Sequence, residues 1–589
     1  MRTRAALSCV VALLAASCEQ VQSTIDPPAR AEDTAVAFVE AWNDLDAEAM
    51  EEHLADTGAW DAQRLQSLLR RALPDDAISS LEVVLEGPVE QPSDEALIAD
   101  DGPQATTSAA YSITYDSDAS VRPVSFEGEL PLAYQRDTDS WSVSFDRELL
   151  WPDHPRATGF AVVEKWPRRA AILDRSGQKL AVGGEDSRRY PFGSLAGTTI
   201  GHLEPGEEVD RLQGASGLEL GLDEVLAGIA TQKLILQGKP SSGCRQKRGR
   251  GNKNQEDTEC TYPTVATLGR VVGKPGRDVK TTLDVDVQRA AEQAYGATTG
   301  GSVVMDPATG DLLAIVSSSP FDPNNYVGVA GIEPFNRALS GRYPPGSSLK
   351  VMTAAAALEE KVVKETTTLP GPAEYRGVRN FESGAFGTID FASALKFSVN
   401  TVFAQVALDL GARRLKRYAD AFGFNSEPRM PLAAATSSFP LPADEGDVMW
   451  GSIGQAQVLA SPLTMATVAA TIANGGKRME PRILLRDPKV GERVVSQRIA
   501  TTMTRLMENV VKGGTGVGAA ISGAQVAGKT GTAEVDVAGE RKNHAWFIAF
   551  APSTAPRVAV SVVSEYGGIG GQVAAPLAGR ILSAVLPQL

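Results

Sequence analysis

The sequence predicts a multidomain α+β protein whose last module is one sheet covered by helices, an α+β or α/β sandwich. Three observations carry that reading. The chain has 589 residues, 43% hydrophobic and 22% charged, an ordinary globular composition with length for three or four domains at roughly 100–200 residues each. Its charge breaks sharply. Residues 19–150 hold 29 acids and 7 arginines, and no lysine precedes Lys165. That segment sums to about −22 and everything after residue 150 to about +5, a domain-boundary signal. Finally, two pairs of β-type runs enclose long alanine-rich helical stretches in residues 277–589, as one helix-covered sheet requires. The composition excludes wholesale disorder, collagen and a polytopic membrane protein. The net charge of −15 argues against a nucleic-acid partner.

The N-terminus reads as an export signal. Arg2 and Arg4 precede the apolar run Ala5–Ser17, too short to span a bilayer but right for a signal peptide. The run ends Leu14-Ala15-Ala16-Ser17-Cys18, which resembles the lipobox of bacterial lipoproteins. Residues 1–18 are then a lipoprotein signal peptide. Cys18 is the lipid attachment site, and the lipid is the membrane contact of an exported chain. Ordinary signal cleavage, with Cys18 incidental, is the competing reading. Cys244 and Cys260 flank the polar, basic segment Arg245–Glu259, read as a surface loop. In an exported chain a disulfide closing it would contribute about 3 kcal/mol. A metal site there lacks neighbouring His or further Cys.

The elements follow in order. Residues 19–30, with Pro27-Pro28, are a linker. From Ala31 to Leu54 apolar residues recur at helical spacing: Ala35, Phe38, Val39, Trp42, Leu45, Met50 and Leu54. Alternating runs at Leu81–Leu85, Ala109–Tyr115, Val124–Leu130 and Trp141–Phe145 read as antiparallel strands. Residues 31–150 thus suggest an acidic α+β cone with no catalytic constellation. Residues 151–276 hold Arg169–Gly177, a strand running into a turn, then Gly214–Glu219 and Asp223–Gly228, which are turn and helix-cap patterns. Residues 277–589 open with a helix start at Thr281–Gln288. Strands follow at Gly301–Met305 and Leu312–Val316, and again at Ala545–Ala551 and Arg557–Ser564.

Three short motifs carry chemistry. A Ser-x-x-Lys on a helix sets a hydroxyl and an amine one turn apart. The lysine can take the serine's proton if burial or a second cation lowers its pKa from about 10.4 towards 7. The chain holds three such pairs. Ser176/Lys179 lies in a polar turn and Ser393/Lys396 in an amphipathic helical run. Ser347/Lys350 follows Tyr343-Pro-Pro-Gly346 and precedes the apolar run Val351–Leu358. Ser347 is therefore at a helix N-terminus, where the dipole favours an alkoxide or oxyanion. Ser398-Val-Asn400 offers a proton-shuttling hydroxyl and an amide for a substrate carbonyl. Lys529-Thr530-Gly531-Thr532 offers a positive charge and a hydroxyl, a receptor for a carboxylate, and Gly531 permits close backbone approach.

Each motif is modest alone. Their order, Ser-x-x-Lys, Ser-x-Asn 51 residues on and Lys-Thr-Gly 131 further, resembles the penicillin-binding proteins and serine β-lactamases. Within that superfamily the chain is similar to the monofunctional (class B) transpeptidases. Thr281–Gln288, Gly301–Gly310, Asn336–Ala338, Gly454-Gln455, Ser461–Leu463 and His544–Phe547 carry the likeness, with Arg169–Gly177 and Gly214–Glu219 resembling the family's pedestal. The acidic first module is similar to the extension of MecA-type proteins.

The resemblance implies an α/β sandwich with an antiparallel sheet at 277–589, a pedestal or dimerisation domain at 151–276 and a MecA-like cone at 31–150. It implies a D,D-transpeptidase that cross-links peptidoglycan stem peptides and is acylated by β-lactams. In this reading Ser347 is the nucleophile, Lys350 the base and Ser398 the relay. Asn400 orients the substrate amide, Lys529, Thr530, Gly531 and Thr532 bind substrate, and the N–H groups of Ser347 and Thr532 form the oxyanion hole. It implies no cofactor or metal, and other cell-wall synthesis proteins as possible partners. A D,D-carboxypeptidase or a β-lactamase would share the motifs. One departure is Ala456, where the family often has glycine; its methyl is expected to tighten the site.

Overall fold

The computed structural model describes residues 29–589 except 57, 99–103, 118–120, 185–186, 207–210, 241–244, 249–255, 326–334 and 489–490. The signal segment and Cys18 lie outside the described residues. The chain forms two compact units, each from two segments: residues through Lys165 with Thr231–Val272, and Trp166–Ala230 with Gly273–Leu589. The span 151–276, expected as one module, is therefore shared between them. Strand pairing is the reason. Ala157–Lys165 and Thr264–Val271 both pair antiparallel with Thr231–Gly238, and Phe160, Leu234 and Leu236 join the first unit's core.

In the first unit the helix Ala31–Asn43 buries Ala35, Phe38, Val39 and Trp42. The expected single helix to Leu54 is in fact two. Leu45 takes the left-handed conformation at φ 53°. Asp46 then caps a second helix, Ala47–Glu52, accepting from the N–H groups of Glu48 and Ala49 at 3.1 Å each. Strands Ser80–Leu85, Thr106–Asp116, Val124–Gln135 and Ser140–Val143 form an antiparallel sheet in chain order. Its inner face alternates Tyr111, Ile113 and Tyr115. The hydroxyls of Tyr111 and Tyr115 donate to Leu149 O and Leu150 O at 2.6 Å, so neither buried phenol is left unpaired. The Arg245–Glu259 segment, expected as a loop, has strands at both ends: Arg245–Arg248 pairs antiparallel with Glu256–Glu259. Cys260 is disulfide-bonded; Cys244 lies outside the described residues.

The second unit is built on a five-stranded antiparallel sheet. Its strands are β1 (Gly300–Met305), β2 (Leu312–Ser317), β3 (Ala527–Val537), β4 (Glu540–Ala551) and β5 (Val558–Ser564), in the order β2-β1-β5-β4-β3. Around it lie α1 (Val285–Tyr295), α2 (Lys350–Glu359), α3 (Asn400–Leu410), α4 (Pro462–Ala473), α5 (Gln497–Gly513) and α6 (Ala574–Val585). Val303, Ile548 and Phe550 share one core with α2, α3 and α4. Val304, Phe547 and Val560, one residue out of phase, share another with α1 and α6. Both faces are covered, which explains why every residue of β1 and β5 is buried rather than every second one. Among the described residues no helix is long and apolar enough to cross a membrane.

The segments Arg169–Gly177 and Gly214–Glu219 meet in a buried ion cluster of this unit. The Arg169 side chain is fully buried and pairs with Glu219 at 2.9 Å and Asp223 at 2.7 Å. Arg188 reaches the other Glu219 oxygen at 2.7 Å, and Arg211 the other Asp223 oxygen at 2.6 Å. Ser176 belongs to a turn that Asp174 Oδ1 organises, accepting from the N–H groups of Ser176, Gly177 and Gln178. Ser393 donates to Asp390, the cap of its helix. Two of the three Ser-x-x-Lys pairs are thus structural.

Candidate active site

Ser347 sits in a 3-10 turn, Gly346–Leu349, that runs straight into α2. Every residue of α2 from Lys350 to Leu358 is buried, as a helix apolar on nearly every side demands, and this fixes the turn at its N-terminus. The turn is also pressed against β3. A Cβ on Gly346, which has φ 53°, would come within 2.7 Å of Thr532 O. A Cβ on Gly531 would come within 2.6 Å of Pro345 O and 3.0 Å of Ser348 N. Two glycines facing each other let the Lys-Thr-Gly strand and the nucleophile's turn touch backbone to backbone. Behind the turn, Tyr343 Oη donates to Glu565 at 2.5 Å, Arg337 pairs with the same carboxylate at 3.1 Å, and Tyr343 packs edge-on against His544. His544 is held neutral by burial, below the usual histidine range, and accepts from the Tyr566 N–H.

Lys350 is completely buried. Its Nζ donates to Ser398 O at 2.8 Å and Asn400 Oδ1 at 2.5 Å, and lies 3.3 Å from Ser398 Oγ. Ser398 occupies the left-handed region at φ 60°. That costs a non-glycine residue about 1–2 kcal/mol and turns its carbonyl and hydroxyl to the same amine. Lys529 Nζ reaches the same hydroxyl, donating to Ser398 Oγ at 2.9 Å and lying 3.3 Å from Thr530 Oγ1. One hydroxyl therefore joins two buried lysines. Burial, and then the nearby Lys529 charge, hold Lys350 well below the ordinary lysine value; burial brings Lys529 down to about 7. The positive charge expected on Lys529 is thus disfavoured by its burial, and an incoming carboxylate would favour the charged form.

The structure brings Ser347, Lys350, Ser398, Asn400, Lys529, Thr530, Gly531 and Thr532 together. Among the described residues no hydrogen bond engages Ser347 Oγ, and the residue is half-buried. Asn400 is already employed: its Nδ2 donates to Arg379 O at 2.8 Å while its Oδ1 holds Lys350, leaving one amide proton for a substrate carbonyl. Sequence reasoning missed Thr515, whose Oγ1 is 2.6 Å from Thr530 Oγ1. Its only sequence signal is a place in Gly513-Gly514-Thr515-Gly516, which reads as a turn.

Ala456 is exposed and left-handed, φ 58°, and it lines a recess with Phe439, Leu441 and Val458. Its methyl strains its own backbone. Ala456→Gly should relieve about 1–2 kcal/mol of left-handed strain and lose about 0.4–1 kcal/mol of that to glycine's greater unfolded-chain entropy. The expected outcome is a slightly higher melting temperature with acylation rate unchanged. Calorimetry checks it, and a lower melting temperature would contradict the account.

The family model Penicillin binding protein transpeptidase domain matches residues 300–583. The chain is 37% identical over 359 residues to the peptidoglycan D,D-transpeptidase PbpA of Mycobacterium tuberculosis, covering 53% of this chain and 73% of that protein. It is 30% identical over 380 residues to the peptidoglycan D,D-transpeptidase MrdA of Haemophilus influenzae, covering 55% and 58%. The solved structure of M. tuberculosis penicillin-binding protein A as a penicillin G acyl-enzyme complex matches with a TM-score of 0.56 at 30% identity, over 71% of this chain and all of that one.

Proposed function

The chain belongs to the penicillin-binding protein transpeptidases, in the class B branch with PbpA and MrdA, and from that premise we propose that it is a serine-type peptidoglycan D,D-transpeptidase working through an acyl-enzyme on Ser347. One observation carries the assignment of roles: two fully buried lysines converge on a single serine hydroxyl, beside an unengaged serine at the mouth of a helix.

In this reading neutral Lys350 takes the Ser347 proton as Ser347 Oγ bonds to the penultimate D-alanine carbonyl carbon. The resulting oxyanion is held by the N–H groups of Ser347 and Thr532, whose close approach the two facing glycines allow. A single such donor contributes roughly 2.7–4 kcal/mol to the transition state. The C–N bond then breaks. The departing D-alanine nitrogen takes the Ser398 proton, which Lys350 replaces. The substrate carboxylate lies on Lys529 and Thr530. An amine from a neighbouring stem peptide attacks the acyl carbon, gives its proton to Lys350 through Ser398, and Ser347 regains its own. β-Lactams enter by the same first step and stay as the acyl-enzyme.

The reading extends to the remainder of the chain. Residues 1–18 are a lipoprotein signal peptide and Cys18 the anchor, which puts the enzyme outside the cytoplasm. Residues 31–150 are a MecA-like extension, and the span 151–276, which the two compact units share, is a pedestal or dimerisation module. The Cys260 disulfide is closed by Cys244. Stem peptides and β-lactams are its small-molecule partners, and other cell-wall synthesis proteins are further partners.

Incubation with benzylpenicillin, followed by intact-mass spectrometry and peptide mapping, tests the core of this. A single stable adduct on Ser347 is expected. With a D-Ala-D-Ala thioester analogue, transfer to an added D-amino acid should exceed hydrolysis. Hydrolysis alone would make it a carboxypeptidase, and rapid drug turnover without adduct a β-lactamase.

A further inference from the structure

Thr515 follows α5, and its N–H donates to Lys396 O at 3.3 Å, which ties its loop to the residue two before Ser398. Its Oγ1 lies 2.6 Å from Thr530 Oγ1, and Thr530 is only 5% exposed. A threonine hydroxyl has one proton and two lone pairs. Lys529 Nζ already donates to one lone pair of Thr530 Oγ1 at 3.3 Å. Two arrangements remain. If Thr530 gives its proton to Thr515, it has none for a ligand. If Thr515 gives its proton to the second lone pair of Thr530, the Thr530 proton is free. A carboxylate, which only accepts, selects the second arrangement.

We propose that Thr515 is a positioning residue for the substrate's terminal carboxylate: its hydroxyl donates to Thr530 Oγ1 and so frees the Thr530 proton for the anion. This rests on the reading of Lys529 and Thr530 as the carboxylate receptor. Thr515 need not touch substrate. It sets the direction of a hydroxyl that does, and it completes a donor chain in which Lys529 and Thr515 both give to Thr530.

The test compares Thr515→Val, which keeps the shape and loses the hydroxyl, with Thr515→Ser, which keeps the hydroxyl. The second-order acylation constant is measured on full-length protein with benzylpenicillin and with its methyl ester. The valine variant should lose about tenfold on the free acid, the scale of one hydrogen bond to a charged group. It should change less than about twofold on the ester, and the serine variant should recover the free-acid rate. Equal losses on both ligands, an unchanged ratio, or a serine variant no better than valine would each overturn the proposal while the receptor reading stands. A wild-type enzyme that does not distinguish acid from ester would overturn the receptor reading and the proposal with it.

Discussion

Lys350→Met is expected to slow acylation by benzylpenicillin roughly 10³–10⁴-fold, the upper range for loss of a general base, in a protein that still folds. The two halves of that expectation have one cause. A fully buried amine whose proton is disfavoured by desolvation and by Lys529 is the right base for Ser347 and a poor structural element. Methionine fills the same unbranched volume against Phe403, whose ring lies 5.1 Å from the lysine nitrogen, and brings no charge to bury, which offsets the loss of the amine's donors to Ser398 O and Asn400 Oδ1. Stopped-flow acylation gives the rate, and Ser347→Ala, which should form no adduct, gives the floor. A methionine variant within tenfold of wild type would remove Lys350 from the proton path.

The same pair sets the pH profile. Acylation rises with pH as the lysine pair gives up its first proton, and it falls as Lys529 loses its own near 7. Because the two groups interact, these limbs belong to the pair. The alkaline limb should appear at about 7 in the second-order constant and move upward in the saturated rate, since a bound carboxylate favours protonated Lys529. The stability consequence has a definite sign. A lysine lowered from 10.5 to about 7 binds fewer protons folded than unfolded within that window. Its penalty is complete below about pH 7 and fades as pH rises towards the unfolded value.

Glu219→Gln should destabilise the second unit by about 3–5 kcal/mol, the range for removing one partner of a buried pair. Glu219 is wholly buried between Arg169 and Arg188. Without its charge two guanidiniums face each other, and only Asp223 remains to offset Arg169, Arg188 and Arg211. Against a typical domain stability of about 5–15 kcal/mol, the loss should lower the melting temperature by several degrees. Acylation per folded molecule should be unchanged. Replacing Arg169 and Glu219 together by apolar residues should cost less than the single change, because it removes charges in pairs. A shift below about 1 kcal/mol in urea unfolding would mean that water reaches the cluster.

The chemistry of the site was legible because it sits in three short motifs, and because Ser347 alone among the candidate serines precedes a run apolar enough to be a buried helix. Gly531 was legible for the same local reason. The lysines' proton affinities were not, since they depend on what three distant segments exclude together. Thr515 was hidden by its glycine neighbours, which read as a turn. The break at Leu45 was hidden because Leu45 and Met50 keep helical spacing while the backbone between them does not; the capping Asp46 was the available signal. Pairing of residues 157–165 with 231–238 leaves no local mark, because each strand's sequence fits many partners.

That last pairing has a consequence for biogenesis. The first unit takes strands from either side of the Trp166–Ala230 segment, and synthesis delivers a chain from its N-terminus. The middle strand, Thr231–Gly238, cannot meet its second neighbour until Val271 has emerged. The strand Ala157–Lys165 must therefore wait with an open edge for Thr231–Gly238 while Trp166–Ala230, a piece of the other unit, is made. Such an edge is a site of misassembly during folding. It is also a design constraint: no single cut separates the units. A cut after residue 150 would strip the N-terminal fragment of the packing that Phe160, Leu234 and Leu236 give its core, and would leave strands 157–165 and 231–238 of the other fragment without that core.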